Sequence, residues 1–354
     1  MQLATLDDPA VIRAADPGGM LGLIAGTGRQ LLRGFELGTD TGLIPSGEGI
    51  DAVVMCGMGG SGIAADVVRS AFGGVARVPL VVSKGYSLPG FCGRDSLVLA
   101  VSFSGNTEET VAAYAQAIAR GCRVVTVCAG GELAALSEAD DTPRVSIPGD
   151  VSMPRAALGY LSAATMGVLS SAEVVPPEAE AIRAVANLLD KLAAELEPER
   201  PEPENKAKAL ARWIGERTPL VWATEGPAEA AGLRWKTQWN ENAKMAAFCS
   251  VLPELDHNEI EGLGEAARSR FAAVILRHPN EHPRMAVRVD ATIDALARAG
   301  VEARQVWARG STPLEAVFSL IMLGDFASAY AAIVRGIDPT PVPVLTNLKE
   351  RLRS

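Results

Sequence analysis

The sequence predicts an α/β protein made of two doubly wound units, each a parallel sheet flanked by helices. Short apolar segments that fit buried strands alternate with longer segments of helical periodicity, a pattern typical of parallel sheets. The alternation stops near residue 200 and then begins again. The 354 residues suffice for two hydrophobic cores of ordinary size, so two domains are expected.

The first half contains four strand candidates, and the first and third are each followed by a polar turn and a helix. Residues 1–47 precede them as a helical lead-in with loops, and the helices are expected over 63–72 and Glu108–Arg120. An alanine-rich helical region follows over 156–196. The strands are predicted at Ile50–Met55, Val78–Val82, Leu97–Val101 and Arg123–Val127.

A segment rich in proline and glutamate, Glu197–Asn205, separates the two halves. Its three prolines and four glutamates predict an exposed linker, with one domain over 1–200 and the other over 201–354. Beyond the linker the alternation of strands and helices resumes. The strands are predicted at Leu220–Ala223, Phe248–Leu252, Ala272–Leu276 and Glu302–Gln305.

Composition excludes several classes of partner. The 33 Lys and Arg residues against 42 Asp and Glu give a net charge of −9, which argues against binding to nucleic acid. No uncharged apolar run reaches the roughly 20 residues that span a bilayer, because the stretch 318–334 carries Asp325. The cysteines form no CxxC pair and no signal peptide is apparent, so a cytoplasmic location is expected.

The first informative motif is Gly57–Gly62 (GMGGSG), which follows a strand and opens a helix. Its glycines allow close approach to an anion, and the helix N-terminus supplies N–H groups and the positive end of the dipole. The motif also satisfies GxGxxG, the dinucleotide-binding pattern. That alternative requires an acidic residue at the end of the next strand, where the sequence has Val81–Lys84 (VVSK), so the dinucleotide match is weak.

The second motif, Val101–Thr110 (VSFSGNTEET), follows the third strand and brings the hydroxyls of Ser102, Ser104 and Thr107 into one turn. Thr107 or Asn106 capping the next helix is the alternative, and it is the better explanation for either turn alone. Both turns, however, follow strands of one sheet, at the edge where open α/β sheets bind ligands. Together they favour a phosphate monoester.

These two motifs resemble the sugar isomerase (SIS) fold, a phosphosugar-binding α/β unit found in tandem or in dimers. The resemblance implies that the predicted halves are two SIS units. SIS units also occur in regulators, deaminases and aminotransferases, so the fold alone leaves the reaction open. The resemblance places the substrate phosphate at Gly60, Ser61, Ser102, Ser104 and Thr107.

Three further stretches narrow the family: Met153–Tyr160 (MPRAALGY), Trp239–Lys244 (WNENAK) and Pro253–Ile260 (PELDHNEI). With the two turns, in this order, they resemble the bifunctional phosphoglucose/phosphomannose isomerases of archaea and some bacteria. The resemblance implies a metal-independent and cofactor-free enzyme that interconverts glucose 6-phosphate and mannose 6-phosphate with fructose 6-phosphate through an enediolate.

Such a reaction needs a base for the C2 proton and a donor or cation for the oxyanion. Glu241 lies among residues of buried type, although a solvated glutamate paired with Lys244 or Lys236 would fit the pattern as well. The resemblance makes Glu241 the proton-transferring base. Arg155 follows a proline and precedes a helix, so its guanidinium could reach the enediolate or the phosphate, a plain surface arginine being the alternative.

The resemblance assigns ring opening to His257, which the neighbouring subunit of a homodimer contributes to the site, although a lone histidine is more often structural. It also places Lys349 over the sugar near the ring oxygen, and Thr340 is a candidate for orienting the substrate.

His278 and His282 would share one helix face and could suggest a metal site. The prolines at 279 and 283 predict a turn instead, and no third ligand is evident, so no metal is expected. Two other classes of function remain open: a non-catalytic SIS protein that binds a sugar phosphate, and a SIS enzyme that acts on amino-sugar phosphates. The presence of Glu241, His257 and Arg155 disfavours the non-catalytic class.

Overall fold

The structure is a computed structural model that describes residues 5–40, 45–176, 179–264 and 270–352. The chain divides into two compact units. The first unit comprises Gly26–Asp190 and Gly310–Phe318, and the second comprises Met1–Ala25, Lys191–Arg309 and Ser319–Ser354. The domain boundary at residue 200 stays a prediction. The two compact units do not coincide with the predicted domains, because the first 25 residues of the lead-in belong to the second unit.

The α-helices up to residue 196 are α1 (Pro9–Ala15), α2 (Met20–Ala25), α3 (Thr27–Thr39), α4 (Gly59–Phe72), α5 (Glu108–Ala119), α6 (Gly131–Ala139), α7 (Leu158–Ser171) and α8 (Ala179–Leu196). Those that follow are α9 (Lys206–Ile214), α10 (Pro227–Glu241), α11 (Arg284–Arg298), α12 (Pro313–Val334) and α13 (Pro343–Leu352). The helical region predicted over 156–196 therefore forms α7 and α8, and positions 177–178 lie outside the described residues.

A parallel sheet of order β2-β1-β3-β4-β5 forms the centre of the first unit. Its strands are β1 (Ala52–Cys56), β2 (Leu80–Ser83), β3 (Ser96–Val101), β4 (Arg123–Cys128) and β5 (Arg144–Ser146). Strands β1 and β3 are buried throughout, which explains their unbroken apolar runs. The four predicted strands are confirmed. Strand β5 was not predicted. It has three residues, which are exposed, buried and exposed in turn.

Helices α3 and α7 pack backbone to backbone in the first unit. A Cβ atom built on Gly38 would lie 2.3 Å from the carbonyl oxygen of Ala164, and one on Gly34 would lie 2.6 Å from that of Tyr160. Any side chain at these two positions would force the helices apart. The part of the lead-in that forms α3 is therefore a structural element of the first unit.

The second unit contains a parallel sheet of order β7-β6-β8-β9. Its strands are β6 (Thr218–Thr224), β7 (Phe248–Leu252), β8 (Phe271–Arg277) and β9 (Glu302–Trp307). All four predicted strands are confirmed. The central strand β8 is buried over six of its seven residues, whereas β9 at the edge has no fully buried residue.

Helix α12 is long and apolar enough to cross a membrane by length and composition, yet 94% of its most apolar stretch is buried inside the protein. Its one carboxylate in that stretch, Asp325, forms an ion pair of 2.8 Å with Arg234 of α10, and both side chains are nearly inaccessible. Such burial is what a core helix shows.

The Glu197–Asn205 segment, predicted as an exposed linker, is tied down at its ends. Lys208 is fully buried, and its ammonium donates to the carbonyl oxygens of Leu6 at 2.6 Å, Pro198 at 2.7 Å and Arg200 at 2.6 Å. Asn205 is also buried and caps α9 through its side-chain oxygen. Burial lowers the pKa of Lys208, against the opposing effect of nearby carboxylates. The segment is therefore a fixed connection.

Replacing Lys208 with Met leaves these three carbonyl groups without their donor. We expect a loss of about 3 kcal/mol in stability, since the three bonds contribute roughly 1.5–3 kcal/mol each but the cost of burying the ammonium offsets much of their sum. The apparent Tm should fall by roughly 5–10 °C, measured by circular dichroism. Lys206→Met, at an exposed position of the same helix, is the matched control and should leave the Tm nearly unchanged. Equal Tm values for the two variants would contradict the role of Lys208.

Candidate active site

The GMGGSG turn joins β1 to the first turn of α4. Gly59 has φ +52, and the helix begins there after Met58 in extended conformation. A Cβ on Gly57 would lie 2.9 Å from the carbonyl oxygen of Val101 at the end of β3. Glycine at these positions therefore lets the N-terminus of α4 approach the carboxyl edge of the sheet, where its N–H groups are suited to bind an anion.

The serine-rich turn after β3 brings three hydroxyl groups to the same edge. The hydroxyls of Ser102 and Thr107 lie 2.8 Å apart, and the N–H of Phe103 donates to the Ser61 hydroxyl at 3.3 Å. Ser104 is exposed, and its hydroxyl accepts from the N–H of Asn106. Thr107 stands at the N-cap position of α5, but its hydroxyl bonds to Ser102 instead of to the helix. The capping alternative therefore does not describe Thr107.

The turn after β3 is fixed by its neighbour after β4. Gly105 has φ +69, and a Cβ there would lie 1.7 Å from the carbonyl oxygen of Gly130. The Asn106 side chain accepts from the N–H of Glu132 at 2.9 Å. Asn106 therefore binds the start of α6, and the hydroxyls beside it are held by a rigid backbone.

Arg155 lies next to the first turn of α4. It belongs to a short 3₁₀ helix, Pro154–Ala157, and is only 3% exposed, so a plain surface arginine is excluded. A Cβ on Gly60 would lie 3.2 Å from the Arg155 Cα atom. The first unit thus brings together Gly60, Ser61, Ser102, Ser104, Thr107 and Arg155 at one edge of its sheet.

Sequence reasoning overlooked Lys84, which follows β2 at the same edge. Its ammonium forms an ion pair with the buried carboxylate of Asp66 on α4. Burial raises the pKa of Asp66, and the Lys84 ammonium opposes this rise. The Lys84 side chain also lies against Gly62, where a Cβ would be 3.1 Å from its Cε atom. A basic residue directly after the neighbouring strand was the available signal.

In the second unit, Glu241 is the last residue of α10 and is half-buried. The preceding residues Trp235 and Trp239 are fully buried, as the composition of this segment predicts. Asn242 follows as the C-cap, and its buried amide donates to the Ser328 hydroxyl at 3.0 Å. The backbone that carries Glu241 is therefore fixed on both sides.

His257 and Lys349 lie on other elements of the second unit. His257 is exposed at the end of the 3₁₀ helix Glu254–His257 that follows β7, and Leu255 anchors that helix in the core. Lys349 lies on α13, whose last turn is exposed. The joint action of Glu241, His257 and Lys349 stays a prediction.

The His278–Pro283 segment is the turn between β8 and α11, as predicted. His278 is buried, and its Nε2 atom lies 2.8 Å from the carbonyl oxygen of Glu225, so it has a structural role. Glu281 is buried beside Arg277 at 2.5 Å. Burial favours a raised pKa for Glu281, but hydrogen bonds from Arg277, Thr224 and the His278 backbone outweigh it and hold the pKa below its usual value.

Comparison with known domains and structures defines the class of protein. Residues 50–148 match the SIS domain, and residues 203–352 match the bacterial phospho-glucose isomerase C-terminal SIS domain. A solved structure, a glucose-6-phosphate isomerase like protein from Thermus thermophilus, superposes with a TM-score of 0.62 at 22% identity and covers 98% of this chain and 99% of that one. The protein is therefore a tandem SIS-fold protein.

Two relatives specify the family. The bifunctional phosphoglucose/phosphomannose isomerase of Caldicellulosiruptor bescii is 34% identical over 325 residues, which cover 91% of this chain and 96% of that protein. The enzyme of the same name from Thermoplasma acidophilum is 33% identical, over 85% of this chain and 89% of its own. The chain belongs to the bifunctional phosphoglucose/phosphomannose isomerase family, as its motifs implied.

Gly60→Ala should weaken phosphosugar binding, because the added methyl group meets the Arg155 backbone and displaces the first turn of α4. We expect about a fivefold increase in the Kd for 6-phosphogluconate, measured by calorimetry, which corresponds to roughly 1 kcal/mol. Gly74→Ala in the same unit is the control, because a Cβ there meets open space. An unchanged Kd for Gly60→Ala would contradict a phosphate site at this turn.

Glu281→Gln should destabilise the second unit by about 3 kcal/mol at neutral pH, because the buried Arg277 loses its charged partner. The depressed pKa of Glu281 gives stability that is present above the unfolded-state value of about 4.3 and is lost as the pH falls through the folded-state pKa. Urea unfolding should therefore show a gap between wild type and variant that narrows on acidification. Glu195→Gln, in a half-exposed pair, should show little effect at any pH.

Proposed function

We propose that this protein is an aldose–ketose isomerase that interconverts glucose 6-phosphate and mannose 6-phosphate with fructose 6-phosphate. Membership of the bifunctional isomerase family supports the reaction class. The observation that carries the proposal is the edge of the first sheet, where the Ser61, Ser102 and Thr107 hydroxyls meet the N-terminus of α4. We infer that the enzyme acts in the cytoplasm and needs neither metal nor cofactor.

A phosphate dianion suits this edge for two reasons. Hydroxyls and helix N–H groups donate hydrogen bonds to its oxygens, and bonds to a charged acceptor are shorter and stronger than neutral ones. The cationic side chain of Lys84 and the backbone of Arg155 lie against the same turn. The net charge of −9 opposes an anionic substrate only at long range, where salt screens it. Local donors therefore determine phosphate binding.

In the proposed reaction Glu241 removes the proton from C2 of the open-chain aldose. The electron pair of the C–H bond forms the C1–C2 double bond, the π pair of the C1=O bond moves onto O1, and Arg155 stabilises the resulting enediolate oxyanion. Glu241 then returns the proton to C1 while the hydroxyl proton moves from O2 to O1. Rotation about the C2–C3 bond lets one base serve both C2 epimers.

Ring opening precedes proton transfer in this proposal. We assign it to His257 of the neighbouring subunit in a homodimer, with Lys349 near the ring oxygen. His257 is exposed on its own subunit and can therefore meet a second copy of the chain. These two assignments rest on the family resemblance.

Glu241→Gln tests the proposed function, since the amide cannot accept the C2 proton. We expect kcat to fall by about 10³-fold in coupled assays with glucose 6-phosphate and with mannose 6-phosphate. Binding of fructose 6-phosphate, measured by calorimetry, should persist. Glu229→Gln at the opposite end of α10 is the matched control and should stay active.

Isomerase activity retained by the Glu241→Gln variant would contradict the assignment of Glu241 as the base. Binding without turnover by the wild-type protein would indicate a non-catalytic phosphosugar-binding protein. Turnover of glucosamine 6-phosphate in preference to the hexose phosphates that lack an amino group would indicate the amino-sugar class. Each assay should be run with and without a chelator.

A further inference from the structure

The turn that follows Glu241 contains an unusual residue, Lys244. Its φ is +54, in the left-handed region that glycine adopts easily and other residues adopt at an energetic cost. Glycine is the common choice where a chain leaves a helix in this conformation. A lysine here indicates that its side chain makes interactions that glycine could not.

The Lys244 ammonium binds backbone carbonyl groups. It donates to the carbonyl oxygens of Glu241 and, at 3.1 Å, Pro339, and that of Asn242 lies at 3.4 Å. These contacts place a positive charge at the C-terminal end of α10, where the helix dipole is negative. One side chain thereby joins the backbone of the proposed base to the residue that precedes Thr340.

Further contacts hold the same two segments. Arg335 donates to the carbonyl oxygen of Ala243 at 2.5 Å, and the N–H of Thr340 donates to the Asp338 carboxylate at 2.9 Å. The Thr340 side chain packs on Gly18, where a Cβ would lie 2.3 Å from its hydroxyl oxygen. Thr340 is therefore held between its own loop and the N-terminal segment, and Lys244 joins that loop to Glu241.

We infer that Lys244 is a positioning residue for the isomerase reaction. Its ammonium fixes the Glu241 backbone relative to Pro339 and Thr340, so that the base and this loop form one rigid piece. The inference rests on the proposed function, because it requires Glu241 to be the base. A misplacement of about 1 Å in a catalytic group can lower the rate about 100-fold, so loss of Lys244 should act on kcat more than on KM.

Lys244→Gly removes the ammonium without straining the backbone, because glycine adopts φ +54 more easily than lysine does. Its effect therefore reports the loss of the ammonium contacts alone. We expect kcat to fall at least about tenfold with both hexose phosphates, with KM changed less than about threefold. The ratio of kcat/KM for glucose 6-phosphate and mannose 6-phosphate should also shift, because the contact with Pro339 is lost. Lys244→Arg should recover part of kcat. Lys244→Asn, which tolerates the same φ, replaces the glycine variant if that variant does not fold.

Lys208→Met is the matched control, since Lys208 also binds three carbonyls of the second unit, in a different segment. It should lose thermal stability but keep kcat at a temperature where it is folded. A kcat of Lys244→Gly within about twofold of wild type, or an equal loss of kcat in Lys208→Met, would overturn the inference while leaving the proposed function intact. A wild-type protein without isomerase activity would overturn both.

Discussion

Backbone N–H and C=O groups of buried segments outside the helices and sheets need hydrogen-bond partners. The arrangement of this protein depends on how those partners are supplied. In the second unit, lysine ammonium groups are such partners. Lys208 donates to three carbonyl groups around the 197–205 segment, and Lys244 donates to carbonyl groups at the end of α10 and in the loop at Pro339. Lysine suits this task because it has three donors and no acceptor. These contacts hold irregular segments in place.

The first unit meets the same requirement differently. Its irregular turns lie at the carboxyl edge of the sheet, where glycines bring α4, β3 and the start of α6 close together. Serine and threonine hydroxyls there bond to one another and to the backbone, and a hydroxyl can rotate to donate to an arriving phosphate. Rigid backbone and adaptable hydroxyls are a suitable combination for recognising one small anion.

Local sequence signals predicted much of this structure. The buried strands are short apolar runs, and the two glycine- and serine-rich turns are contiguous motifs, so both can be recognised without knowledge of tertiary contacts. Strand β5 was missed because only Val145 of its three residues is buried. The 197–205 segment is largely exposed, as its prolines and glutamates predicted. Its fixed position was not predicted, because Lys208, the residue that holds it, lies outside it.

Lysines were the main gap in the prediction of the site. Lys84 and Lys244 contact partners that are distant in sequence, Asp66 for the former and Pro339 for the latter. Most lysines are solvated, so for Lys244 composition and spacing gave no signal, and for Lys84 the only signal was its place directly after β2. The partners become visible only when the segments are placed in space. The assignment of Glu241 itself came from family resemblance, since a glutamate at the end of a helix is common.

The division of the chain has a consequence for protein synthesis. The second unit is assembled from both ends of the chain, with Met1–Ala25 at one end and Ser319–Ser354 at the other. At about 5–20 residues per second, its first segment leaves the ribosome roughly 15–60 s before its last. The carbonyl oxygen of Leu6, for example, meets its donor Lys208 only after 202 further residues have been made. Most of the first unit lies within Gly26–Asp190, so it can begin to fold before the second unit has all of its segments.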